Sequence, residues 1–83
     1  MDAKTLENLN THAEKVANRL GVHAAVELEQ RMERSDVNPE GLRLVLCVFR
    51  DPSGPRLHIN LPPDARDIQA RIEKEIPVLA QQL

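Results

Sequence analysis

Three histidines and one cysteine, His12, His23, His58 and Cys47, are the residues with the widest chemical range in this chain. They are the donor types of a zinc centre, which takes four ligands at about 2.0–2.3 Å in structural sites. No C-x-x-C, H-x-x-x-H or H-E-x-x-H spacing occurs, so neither a metal nor another cofactor is expected. Cys47 as a nucleophile would want a helix N-terminus or a nearby cation to hold its thiolate. It lies instead between Leu46 and Val48 and reads as a moderately exposed structural cysteine, with His58 able to approach only diagonally. The carboxylate pairs Glu27/Glu29 and Glu73/Glu75 fall on a flat surface and an exposed helix, where nothing shifts a pKa for acid–base work. Ser35 and Ser53 lie in turn-rich stretches outside any G-x-S-x-G, and the three glycines are too widely spaced to cradle a phosphate. No enzymatic activity is expected.

Positioning these groups falls to a small set of elements. Residues 3–20 carry Leu6, Leu9, Ala13, Val16, Ala17 and Leu20 at helical spacing, with Asp2 available as a cap and Gly21 just beyond the stripe. From Val22 the period changes to two. Val22, Ala24, Val26 and Leu28 alternate with His23, Ala25, Glu27 and Glu29, which predicts a strand over 22–30 although several of these residues favour helix. Ser35 to Gly41 reads as a loop. Leu42 to Arg50 is nearly continuously apolar and reads as a central strand; Leu57, Ile59 and Leu61 mark a third after the turn Asp51-Pro52-Ser53-Gly54-Pro55. Pro62-Pro63 stops it, and Asp64 is the expected N-cap of a last helix whose stripe is Ala65, Ile68, Ile72, Ile76, Leu79 and Leu83. Pro77 falls inside that pattern and predicts a kink or break near residues 73–76.

The expected fold is therefore α+β: a two-layer α-β-β-β-α domain, with a three-stranded antiparallel meander and both helices packed on one face. At 83 residues the chain is one domain, 1–83, and its single aromatic residue, Phe49, makes the core aliphatic. Strand parity sends Val22, Ala24, Val26, Leu28, Leu42, Leu44, Leu46, Val48, Leu57, Ile59 and Leu61 towards the helices. His23, Ala25, Glu27, Glu29, Arg43, Val45, Cys47, Phe49, His58 and Asn60 point away. Register is expected to bring His23 and His58 alongside Phe49, their backbones about 10 Å apart across two strand spacings. The second face thus has an apolar middle and a polar rim, the pattern of an association surface. Arg43, Val45, Cys47, Phe49 and His58 are the candidate contact residues, for another protein or a second copy. The opposing possibility is that long edge-strand side chains fold over the strip.

Charge narrows the partner class. Eleven Lys and Arg against thirteen Asp and Glu give a net charge of −2, so no basic footprint invites nucleic acid or an anionic membrane. The element order resembles that of the double-stranded-RNA-binding domain, which implies a nucleic-acid accessory role as the alternative function. The likeness is one of topology. Where that family places a lysine-rich cluster, this chain has Pro62-Pro63-Asp64-Ala65-Arg66-Asp67-Ile68, and Gly54-Pro55 precedes the third strand rather than the first. A single cysteine excludes an internal disulfide, and the polar start lacks a signal-peptide core. The longest apolar run, Leu44 to Phe49, is far below the roughly 18–20 residues of a membrane span. A cytoplasmic protein is expected, and eight Arg to three Lys, counted along the chain, fits a GC-rich, bacterial coding sequence.

Overall fold

The computed structural model describes residues 3–30, 42–61 and 67–83. The elements follow in the order α1 (Ala3–Arg19), β1 (His23–Gln30), β2 (Leu42–Phe49), β3 (Arg56–Leu61) and α2 (Ile68–Gln82). The sheet order is β1-β2-β3 with both pairings antiparallel, so β2 is central and β1 and β3 are edges. This is the α+β meander that the periodicity predicts. The alternation at Val22–Leu28 outweighs helix propensity because a strand buries every second residue at once, whereas propensity contributes only tenths of a kcal/mol per residue.

Both helices cover one face. The core joins Leu9, Ala13 and Ala17 of α1 to Val22, Val26, Leu44, Leu46, Val48 and Leu61, and to Ile72, Ile76, Leu79 and Ala80 of α2. Every strand residue in this cluster belongs to the inward parity set. Ala13 and Ala17 are fully buried, and alanine at these positions lets α1 approach its neighbours closely. Leu20, expected in the stripe, is 46% exposed. The helix has already ended by then, and the chain is turning away. That turn is a Schellman motif: Val22 N–H donates to the Ala17 carbonyl at 3.1 Å and Gly21 N–H to that of Asn18 at 3.2 Å. Gly21 has φ +74°, a conformation that a Cβ would strain.

The last helix departs from expectation at two points. Asp67, not Asp64, is its N-cap, accepting from Ala70 N–H at 3.0 Å. Two aspartates three residues apart offer the same cap chemistry, and periodicity does not choose between them. Asp64 and Ala65, like Asp2, the 35–41 loop and Pro62-Pro63, lie outside the described residues. The helix also runs unbroken from Ile68 to Gln82 with Pro77 inside it. Proline removes the donor that would reach the Glu73 carbonyl, but Ile76, Leu79 and Ala80 remain buried on the same side, so packing outweighs one lost hydrogen bond. Arg50, just after β2, lies 3.4 Å from the Ala80 and Leu83 carbonyls, a cation placed against the helix C-terminus where its field is favourable.

Candidate functional site

The sheet face without helices is built in cross-strand rows. Register aligns His23, Phe49 and Arg56 in one row, Ala25, Cys47 and His58 in the next, Glu27, Val45 and Asn60 in the third, and Glu29 with Arg43 in the last. His58 therefore stands beside Cys47, one row away from its expected place next to Phe49. The neighbour of Phe49 on β3 is Arg56. That residue was missed because the apolar alternation begins at Leu57; carrying the same parity two residues upstream of His58 would have found it.

The first row is a stack. The His23 and Phe49 rings lie 5.4 Å apart, centroid to centroid, with 26° between their planes. The Arg56 guanidinium carbon lies 4.4 Å from the Phe49 centroid. Phe49 is half-buried while His23 and Arg56 are exposed. Arg56 is held from behind by a hydrogen bond from its Nη2 to the Pro52 carbonyl at 3.0 Å. Cation–π contacts of this kind contribute about 0.5–1 kcal/mol at exposed sites.

Burial divides the five candidate contact residues. Val45 is 3% exposed and Cys47 1%, which corrects the expectation of an open apolar strip and of a moderately exposed thiol. Both are short side chains on the central strand, with neighbours from both flanking strands in register. Parity determines the face of a side chain but not how far its neighbours overtop it. Arg43 is engaged with Glu29, its Nε at 2.9 Å and Nη2 at 2.7 Å from one carboxylate oxygen. Phe49 is partly accessible and His58 exposed. The structure thus leaves the His23–Phe49–Arg56 stack, His58 and Asn60 facing water, and withdraws Val45 and Cys47.

The remaining polar groups described in the structure lie apart from this face. Among the described residues no three His, Cys, Asp or Glu side chains come together as metal donors. With 1% exposure, Cys47 offers no approach to a substrate despite its place opposite His58. His12 Nε2 lies 3.0 Å from Glu73 Oε1, linking α1 to α2, and makes no hydrogen bond among the described residues. Asp51 organises the β2–β3 turn. Its side chain accepts from the Ser53 N–H and hydroxyl, each at 3.0 Å, and its carbonyl accepts from Gly54 N–H at 2.8 Å. The Ser53 backbone donor, then its hydroxyl, hold the Asp51 carboxyl below its usual range. A mostly apolar pocket of about 200 Å³ lies beside this turn, lined by Arg50, Gly54, Pro55, Leu57 and Leu83 among others; small-molecule sites run from roughly 300 Å³ upward. No helix among the described residues is long and apolar enough to cross a membrane.

Comparison with family models, with curated proteins and with solved structures yields no match.

Proposed function

We propose that the protein is a non-enzymatic binding module that associates with itself or with another protein through the helix-free sheet face, centred on Phe49. The observation that carries this reading is the stack. The chain's one aromatic ring is placed away from the aliphatic core and kept partly accessible between His23 and Arg56. An aromatic ring flanked by an arginine is the composition of interface anchors. The cluster that joins the sheet to both helices lies on the opposite face.

Sedimentation of wild type and Phe49→Ser tests the reading, with circular dichroism as the folding control. Weakened self-association or partner capture in a folded variant supports it. Global unfolding would make Phe49 a core residue and remove the interface role. RNA binding that is tight at low salt and falls steeply as salt rises would replace it with the nucleic-acid alternative.

A further inference from the structure

The two edges of the sheet are finished differently. On β1, Asn10 of α1 clamps the outward peptide groups of Val26. Its Nδ2 donates to the Val26 carbonyl at 2.7 Å, and its Oδ1 accepts from Val26 N–H at 2.8 Å. Val22 N–H, on the same edge, is taken by the Ala17 carbonyl. This clamp also sets the phase of the whole ladder. Val26 turns its polar groups away from β2, so in continuous antiparallel register Leu44, Leu46 and Val48 turn theirs towards β3. Their partners Leu61, Ile59 and Leu57 point back, which leaves the N–H and C=O groups of Arg56, His58 and Asn60 pointing outward. Among the described residues no backbone group partners them. β3 is also the strand with the least cover, since Leu57 and Ile59 are only half-buried on the helix side.

We infer that β3 is a dimerisation edge on which a second copy of this chain pairs β3 antiparallel to β3′, with the twofold axis at His58. This rests on the self-association reading above and names its geometry. Three features select a second copy as the occupant. Only registers that keep pleat parity and outward groups opposed are allowed, and centring on His58 opposes the most outward groups: Arg56 with Asn60′, His58 with His58′, and Asn60 with Arg56′. Moving the axis one allowed step to Ile59 leaves only His58 and Asn60 of these three positions opposed. Second, the same register sets Leu57 against Ile59′ on the helix side, joining the half-covered apolar residues of both copies. Third, Asn10 fills the middle of the β1 edge, between the outward groups of Ala24 and Leu28, so among the described residues β3 is the edge on which successive outward positions are unobstructed. An isologous pair then closes, whereas head-to-tail extension into a ribbon needs the β1 edge as well. The product is a six-stranded sheet whose two Phe49 stacks share one continuous face.

His58→Pro is the direct test. Its N–H is outward and unused within the chain, and proline is tolerated on such edge positions. In sedimentation over a dilution series, wild type is expected to dimerise, and His58→Pro to raise the dimer dissociation constant about tenfold or more with unchanged circular dichroism. A wild type that stays monomeric throughout overturns the inference, as does a folded His58→Pro variant that dimerises as tightly as wild type. Should that variant unfold, His58→Asp and His58→Lys decide. Across the twofold axis each alone opposes like charges, so the mixture is expected to pair about tenfold more tightly than either alone, and no gain on mixing overturns the register. Phe49→Ser in the same series separates the two proposals. Loss of the dimer by Phe49→Ser but not His58→Pro leaves the face reading standing and removes the edge. The reverse leaves the edge standing and removes Phe49.

Discussion

The edge strands β1 and β3 have the same neighbour, β2, and both pair with it without a bulge, yet a side chain blocks the middle of one edge and, among the described residues, none blocks the other. The difference comes from what packs beside each. α1 lies along β1, and one asparagine on its flank has both a donor and an acceptor, enough to occupy the N–H and C=O of Val26 as a neighbouring strand would. Among the described residues no helix side chain takes up the outward groups of β3, whose exposed positions carry Arg56, His58 and Asn60. Edge strands with unpaired backbone groups are a hazard that proteins manage case by case. Here a half-buried asparagine occupies the middle of one edge, and among the described residues nothing comparable occupies the other. An asparagine within an amphipathic helix is easily read as a surface residue; its role exists only because the helix runs beside a strand.

Breaking this contrast gives the largest expected effect at β3. Ile59→Pro removes an N–H that faces β2, and is expected to cost about 3 kcal/mol or more, enough to unfold a domain of this size, in a denaturant titration. The neighbouring His58→Pro is expected to cost roughly 1 kcal/mol or less, because its N–H faces outward. Equal losses at both positions would show that the ladder phase is wrong. Next comes a control that touches neither edge. Ile72 of α2 is fully buried in the core cluster, and Ile72→Ala is expected to destabilise by about 2–4 kcal/mol while leaving association of the folded fraction unchanged.

The β1 side gives a smaller change. Asn10→Ala leaves two Val26 backbone groups without partners, at an expected cost of about 1–3 kcal/mol. It also frees a second edge, so light scattering is expected to reveal assemblies larger than the wild-type species. Destabilisation without larger assemblies would mean that Asn10 anchors α1 but does not guard the edge. The smallest effect belongs to the β2–β3 turn. Asp51 is held below its ordinary value, 3.8, chiefly by the Ser53 N–H. A depressed folded-state pKa contributes stability above the unfolded value and loses it as pH falls through the folded one. The Ser53 amide resonance is therefore expected to move as pH falls below about 3.8, and not to move in Asp51→Ala.

Much of this molecule can be read from residue order. The element sequence, the strand parity and the division of the sheet into a leucine-rich face and a mixed face all follow from short-range periodicity. Hydrophobic side chains repeating every two or every 3.6 residues have one way to reach a common core. Gly21 announces the end of α1 for an equally local reason, its tolerance of positive φ.

What the tertiary structure decided are quantities that depend on neighbours distant in sequence. Register placed Arg56 rather than His58 against Phe49, and set His58 beside Cys47. The packing around β2 buried Val45 and Cys47 on a face that parity alone marks as open. Core contacts kept α2 helical through Pro77, although the chain's local preference there is to break. The pairing of Asn10 with Val26 joins residues sixteen apart, and no pattern within either segment encodes it. Periodicity chooses the face on which a side chain lies. Which groups it meets there, and whether water still reaches it, is settled only when separate segments come within a few ångströms of one another.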